Sequence, residues 1–336
     1  MREAGAAERP RVSGALLSPG GPQAPLWPGF ARRRGREALC IGQISLDRVW
    51  RFEGPRPAPG APEPADLPEC SGGQAATASL ALAKLGVSSS YIGAVGDDPA
   101  AAAALAPLQR AGVDCSGVKR VAGGRTRRAL ILVEQAGGER EVRPERDPRV
   151  SFSRDDLDRA RLEAARALLV DAEDPKAASW AAELAGASGV PVVLDAGQFG
   201  EGCVELFSKV DFPIVSAEFA EYFRDGSARE ALREIASHAR CMAVLTLGAS
   251  GAIAQTRDGD RVIESPGFRV AALDTTGAGD VFHAAFIWGL LEGLSVEAVL
   301  RAANAAAALS CRALGAQGGL PDREALEALL ETQATS

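Results

Sequence analysis

Between residues 38 and 311 the chain alternates short apolar runs with stretches of helical period. Residues 38–47, 90–96, 167–170, 190–195, 212–215 and 242–247 are rich in Ala, Val, Ile and Leu and read as buried strands. Residues 78–85, 98–111, 155–166, 176–187, 218–223 and 228–239 read as the helices between them, the first stopped by Gly86. Such alternation predicts a parallel α/β sheet, with ligands at the carboxyl ends of its strands. Two hairpins interrupt the series: 129–133 with 141–143 about Gly137-Gly138, and 252–256 with 261–264 about Asp258-Gly259. Residues 296–311 read as a last helix, so rich in alanine that a neighbour or a ligand can pack closely against it.

The stretch that stands out is Leu273-Asp274-Thr275-Thr276-Gly277-Ala278-Gly279-Asp280, which runs straight into the apolar residues 281–290. Glycines before a helix allow φ > 0 and let a ligand approach the main chain. The first N–H groups of the helix lack internal partners and carry the positive end of its dipole, so they form an anion site. A carboxylate beside such a site makes sense if Asp280 takes a proton from a hydroxyl while the N–H groups stabilise charge on a phosphoryl group. The pairing points to phosphoryl transfer to an alcohol.

Composition narrows the field. The chain has 336 residues, 46% hydrophobic and 24% charged, ordinary for a globular protein. A net charge of −7 argues against a nucleic-acid partner. No apolar run reaches the ~18 residues of a membrane span, and Pro, Gly and Arg break up the N-terminus where a signal peptide would need an apolar stretch. Cys40, Cys70, Cys115, Cys203, Cys241 and Cys311 are scattered without a C-x-x-C pair, which fits a reducing cytoplasm. Residues 1–36, full of Ala, Pro, Gly and Arg, read as a disordered extension, and 37–330 as a single domain. The proline-rich residues 55–68 are a loop. No G-x-G-x-x-G follows the first strand, and no G-x-x-x-x-G-K-[ST] occurs anywhere, so dinucleotide and Walker-type sites are excluded. Arg120, Arg125, Arg127, Arg128, Arg140, Arg143, Arg146 and Arg149 crowd the first hairpin, either as a solvated face or as a site for an anionic substrate group. Asp47, where the first strand leaves the core, reads either as a solvated loop carboxylate or as a ligand contact.

Ser71-Gly72-Gly73, Gly93-x-x-Gly96-Asp97-Asp98 and Thr246-Leu247-Gly248-x-x-Gly251 join residues 274–280 in a pattern that resembles the ribokinase-like carbohydrate kinases, the phosphofructokinase-B family, over roughly residues 39–321. The resemblance implies an α/β fold, a three-layer α/β/α sandwich with a mostly parallel central sheet. A small β lid would be drawn from about 46–70 and 118–146. It implies ATP-dependent phosphorylation of a sugar-like hydroxyl, with Asp280 as base and the Gly277, Ala278 and Gly279 amides as anion hole. Asp47, Gly72, Gly73, Gln74 and Thr77 would hold the sugar, and Arg140 is counted as a further substrate contact. Ser216, Thr246, Gly248 and Gly251 would flank the nucleotide, with Asn304 where the last helix passes the adenine. Mg2+ travels with the ATP phosphates in the family, and Glu218 is the candidate carboxylate for it. A monovalent cation, K+, often sits behind the anion hole, where Gly315-Ala316-Gln317 resembles its loop. Some relatives form homodimers through the lid, and the resemblance implies a homodimer through the lid here if the hairpin exposes one apolar face.

The chain departs from the family pattern at Thr77, where many members have asparagine, and at Val215-Ser216-Ala217-Glu218-Phe219-Ala220, which replaces a common N-x-x-E element. Both look more like ketohexokinases and 6-deoxy-6-sulfofructose kinases. Residues 47–54 and 280–283 are similar to the latter in particular. The expected substrate is therefore a ketose such as fructose or its anionic analogue sulfofructose, phosphorylated on O1. Ribose, 2-keto-3-deoxygluconate, a sugar phosphate or a nucleoside is the rival set, and a non-catalytic sugar or nucleotide sensor is the rival class. His283, three residues past Asp280, is expected to pack or support rather than act as base, and His238 to be solvated.

Overall fold

The computed structural model describes residues 37–135, 140–197, 202–223 and 227–332. The expected extension 1–36 and the Gly137-Gly138 turn lie outside them. Chain order begins with β1 (Ala38–Ile41), β2 (Ser45–Phe52), β3 (Glu69–Gly72), α1 (Gln74–Lys84), β4 (Ser89–Ile92), β5 (Ala94–Gly96) and α2 (Pro99–Arg110). Next come β6 (Lys119–Val121), β7 (Arg128–Glu134), β8 (Arg140–Glu145), α3 (Arg159–Ala164), β9 (Ala167–Asp171), α4 (Pro175–Ala187), β10 (Val192–Ala196) and α5 (Cys203–Phe207). The rest is β11 (Phe212–Ser216), α6 (Ala217–Phe223), α7 (Ala228–His238), β12 (Met242–Thr246), β13 (Ala252–Thr256), β14 (Val262–Ser265), α8 (Ala278–Leu291), α9 (Val296–Ser310) and α10 (Arg323–Thr332).

The main sheet has the order β14-β13-β12-β11-β10-β9-β1-β4. From β4 to β12 it is parallel, and β13 and β14 finish it antiparallel. Successive strand residues face opposite layers. Ala38 and Cys40 enter one core with α1, α2, α8 and α9, while Leu39 and Ile41 enter the other with α4 and α7. This is the three-layer sandwich expected from the sequence, and it sets the ends of β9, β10, β11 and β12 along one edge.

A second sheet, β3-β2-β7-β8, stands apart with small apolar clusters of its own, Val49, Ala129, Ile131 and Val133 in one and Phe52, Leu130 and Leu132 in the other. Two differences from the sequence reading shape the site. The run 38–47 is two strands, because the chain turns at Gly42, where a Cβ would sit 2.0 Å from the Asp171 carboxylate. Asp47 thus lies inside β2 of the second sheet, buried, and not in a solvated loop. Elsewhere, 90–96 divides into β4 and β5, and β5 pairs with β6 rather than with the second sheet. Residues 155–166 shrink to a 3-10 turn and α3, since Asp158 caps a new helix by accepting from the Arg161 N–H. The helix at 296–311 is followed by one more, α10.

α8 is apolar on every side because it is enclosed by α1 and α9. Trp288 in its last turn is fully buried, with the Arg323 guanidinium 5.7 Å from its ring centre. Trp288→Ala is expected to lower unfolding free energy by about 3–5 kcal/mol. Urea denaturation checks it, and a loss within error of zero would mean that α8 is not the central helix described.

Candidate active site

Asp274 builds the loop ahead of α8. It is fully buried, and its two carboxylate oxygens accept from the Thr276 and Gly315 N–H groups, each at 2.8 Å. The loop is thereby pinned to 315–317 as it enters the helix. Gly277 takes φ +79° as the cap of α8, and a Cβ there would stand 2.7 Å from the Ala316 backbone. Gly279 differs. A Cβ there would meet nothing within 4 Å, so its face is open. The Ala278 N–H donates back to the Thr275 carbonyl at 3.3 Å and the ladder of α8 starts with the Val281 N–H donating to the Gly277 carbonyl, leaving the Gly279 amide at this open face.

Asp280 keeps part of its surface exposed, one turn before His283. His283 is buried, with Nδ1 2.6 Å from the Gly279 carbonyl and 3.4 Å from Asp195 Oδ2. Burial holds its imidazole below the usual value and therefore neutral. Asp195 ends β10. Its Oδ1 accepts from Gln74 Nε2 at 2.9 Å and the Gly197 N–H at 3.2 Å, and Gln74 Oε1 accepts in turn from Gln43 Nε2 at 3.1 Å. Asp171 lies directly beside Asp195 in register, accepting from the Gln43 N–H at 2.7 Å and the Ala75 N–H at 3.3 Å. Desolvation pushes Asp171 up to about 7, helped by the Glu173 charge. Burial likewise holds Asp195 above the carboxylate range, against the opposing Gly197 and Gln74 hydrogen bonds. Asp280 is raised by burial first and by the Asp195 charge second.

The expected sugar residues gather at one wall. Gly72 carries no side chain where Asp47 lies, since a Cβ would fall 1.9 Å from Asp47 Oδ2, and Gly73, at φ +96°, caps α1. Asp47 is pushed up to about 6 by burial, and its Oδ1 has no hydrogen-bond partner. A buried acceptor left open suits a ligand hydroxyl. Thr77 is fully buried, with its hydroxyl 3.5 Å from Gln317 Nε2. It ties α1 to the 315–317 loop. A cleft of about 1050 Å³ adjoins this wall, lined by Gln43, Asp171, Glu173, Arg127, Lys176 and Trp180 among others. Glu173 there pairs with Arg127 at 2.9 Å and with Arg146.

On the opposite flank, Gly248 is open at φ +56°, whereas a Cβ at Gly251 would collide with the Ser265 carbonyl at 2.1 Å. Asn304 Nδ2 donates to the Ser265 carbonyl at 2.9 Å and to its hydroxyl at 3.0 Å, so Asn304 shapes this wall through residues 265–266. The Thr246 hydroxyl donates to the Val215 carbonyl at 3.4 Å. The Ser216 hydroxyl accepts from the Phe219 N–H at 3.0 Å and donates to the Gly197 carbonyl at 2.7 Å, capping α6. Glu218 is exposed on α6, and no hydrogen bond or ion pair among the described residues links it to Asp195 or Asp280. Arg140, on β8 of the second sheet, reaches the loop before α8, with Nη1 3.1 Å from the Thr275 carbonyl.

Sequence reasoning missed Gln43, Asp171, Asp195 and Glu173. A signal existed: Asp171 and Asp195 are the acidic residues that end the apolar runs 167–170 and 190–194, at the strand ends where open α/β sheets bind ligands.

The model of the pfkB family carbohydrate kinases matches residues 36–323. An ATP-dependent ribose-1-phosphate kinase from Halopiger xanaduensis is 31% identical over 300 residues, 87% of this chain and 97% of its own length. A ribokinase from Haemophilus influenzae is 29% identical over 275 residues, 77% of this chain and 87% of its own length. Among solved structures, a ribokinase candidate from Agrobacterium tumefaciens superposes with a TM-score of 0.82 at 28% identity, covering 90% of this chain and 99% of its own.

Two outcomes follow from the geometry. Gly277→Ala is expected to cost about 1–3 kcal/mol of stability through strain and collision, while Gly279→Ala folds as wild type and loses nucleotide affinity in calorimetry. Equal stability losses would remove the distinction between the two glycines. Asp171 binds a proton in the folded state that the unfolded chain has released, from about pH 4 to pH 7. Stability relative to Asp171→Asn should therefore fall as pH rises through that window, by at least about 1 kcal/mol. A rise in the urea midpoint difference would contradict it.

Proposed function

The chain belongs to the pfkB family of carbohydrate kinases, and from that premise we propose that it transfers the γ-phosphoryl group of ATP to a hydroxyl of a small, ribose-type sugar. The observation that carries this reading is the head of α8, where a proton acceptor, Asp280, adjoins the open face of Gly279. Asp280 takes the hydroxyl proton, the oxygen forms its bond to the γ-phosphorus, and the bond to the β–γ bridging oxygen breaks to release ADP. The amides of Gly277, Ala278 and Gly279 receive the charge on the transferring group. Asp47, with Gly72, Gly73 and Gln74, holds the sugar, and Gly248 leaves room for the nucleotide beside the wall that Gly251 and Asn304 shape.

The buried, mutually repelling carboxylates fit a divalent cation carried in by phosphates, which takes few protein ligands. Asp280 and Asp195 are the nearest such groups, with Glu218 at the rim, and Mg2+ would neutralise phosphate charge there. The buried Asp274 and the 315–317 loop are the place for a monovalent cation.

Ribose and ribose 1-phosphate come first as substrates because two relatives carry those names. Ketoses, fructose or sulfofructose, come second, on the likeness of residues 47–54 and 280–283. ADP release measured against ribose, ribose 1-phosphate, fructose, sulfofructose, 2-keto-3-deoxygluconate and nucleosides separates them. ATP binding without ADP from any of these would turn the reading to a sensor.

Asp280→Asn is expected to keep ATP affinity and lose at least ~1,000-fold in kcat. Near-normal turnover would sink the assignment. Because Asp280 is held above the usual carboxylate range, the acid limb of kcat/KM should lie well above the pH of an ordinary aspartate. A limb near pH ~4 would show a different base.

A further inference from the structure

We propose that the cleft beside the sugar wall is a subsite for a tetrahedral oxyanion, phosphate or sulfonate, carried by the sugar at the end away from the transferred hydroxyl and held by Arg125, Arg146 and Lys176. The inference rests on the kinase reading and names its substrate class, a sugar that already bears an anionic group. The sheet sets the place. Parallel pairing puts β10, β9 and β1 side by side, so Asp195, Asp171 and the Gln43 turn after β1 follow one another along the strand ends. Neighbouring strands lie about 4.8 Å apart, so a substrate with one hydroxyl at Asp280, beside Asp195, runs roughly 10 Å before it passes Gln43, farther than a pentose ring reaches. There it meets the cleft of about 1050 Å³, which Gln43 and Asp171 both line. A neutral pentose leaves most of that space unfilled.

The lining points to what fills it. Among the described residues four cations line the cleft: Arg125 and Arg127 ahead of β7, Arg146 after β8 and Lys176 in the first turn of α4. Most of the acids there are already engaged. Glu173 takes Arg127 and Arg146, and Asp147 accepts from the Arg149 guanidinium through both oxygens, at 3.0 Å and 2.7 Å. Asp174 caps α4 by accepting from the Ala177 N–H at 3.1 Å, and Glu205 is exposed on α5. The Arg125 and Lys176 side chains, by contrast, have no hydrogen bond or ion pair among the described residues. α4 is 13 residues long, and its N-terminus opens on the same cleft with the positive end of its dipole. Guanidinium forks and an ammonium about one space match the oxygens of a phosphate or sulfonate. Arg127 joins the cleft to the sugar pocket, because it pairs with Glu173 while its charge also acts on Asp47. Trp180 lines the cleft too, but a nucleoside base would leave Arg125 and Lys176 without a counter-charge.

The test measures ADP release by wild type, Arg125→Ala, Lys176→Glu and a control outside the cleft, Arg120→Ala, with ribose, ribose 1-phosphate, fructose and sulfofructose. All three residues are exposed, so the variants should fold, with melting temperatures as the check. Wild type should favour the anionic member of one pair, and the pair that responds tells phosphate from sulfonate. For that substrate Arg125→Ala should raise KM by about 10- to 100-fold, the scale of a lost hydrogen bond to a charged group. Lys176→Glu should raise it further, with kcat in both variants within about threefold of wild type. The neutral sugar should shift by less than about threefold, and Arg120→Ala should match wild type. Added salt should weaken use of the anionic substrate alone. Equal use of both members of each pair, or equal losses on neutral and anionic sugars, would overturn the proposal, as would a nucleoside preferred over all four with the variants silent. If no sugar yields ADP, the kinase reading fails, and calorimetric binding of ribose 1-phosphate and sulfofructose still decides the subsite. Weaker binding in Lys176→Glu keeps it, and equal binding in wild type and variant ends it.

Discussion

Three carboxylates, Asp171, Asp195 and Asp280, meet at one end of the sheet, and the rest of the site is arranged around the cost of putting them there. Charge so close in a low-dielectric setting is unfavourable, and the groups respond by holding protons more tightly. The fold offsets the remainder with directed donors. The Gln43 and Ala75 amides serve Asp171, and Gln74 and the Gly197 amide serve Asp195. Two of these donors sit at the start of α1, which is why the Gly72-Gly73 turn must bring α1 onto the strand ends. Gly42 must likewise lack a side chain to admit Asp171. Sheet, turn and helix are thus placed by one electrostatic problem.

The glycines of the site divide the same way. Gly277 and Gly251 are fixed by packing, because a Cβ at either would strike backbone, whereas Gly279 and Gly248 face open space. A motif of the form G-A-G-D treats both of its glycines alike, yet one shapes the turn and the other leaves room for what binds there. Asn304 and Thr77 also hold walls in place, the first through its Nδ2 on Ser265 and the second through its hydroxyl beside Gln317.

Much of this was legible beforehand, for physical reasons. Buried parallel strands are continuous apolar runs, so the order of the main sheet's elements showed plainly, as did α8 with its glycine entry. Local pattern could not show that 38–47 breaks at Gly42, since the break is imposed by Asp171, far along the chain. Asp47, open between a solvated loop carboxylate and a ligand contact, then lies in a buried strand. The carboxylate row escaped notice for a related reason: Asp171 and Asp195 look like ordinary ends of apolar runs until parallel pairing sets them side by side. Glu218 is the converse. Its place in a motif suggested a metal ligand, and it sits exposed on α6, apart from the buried acids.

A site lined with acids would seem a poor place for a triphosphate, particularly in a chain of net charge −7. The raised proton affinities resolve the conflict. Carboxyls that hold their protons near neutrality repel an incoming anion far less than free carboxylates would. The positive influences, the α8 amides and Arg140, are set at the mouth, on the loop that Asp274 fixes. The acid that must lose its proton is Asp280, the one that keeps a solvent-facing surface, and it does so where those positive groups converge. Asp171 and Asp195 stay behind it, hydrogen-bonded and deeper in the sheet. All three acids hold protons above the usual carboxylate range, Asp280 no less than the other two, so the pocket admits phosphate, and the positive groups at its mouth then favour release of the Asp280 proton.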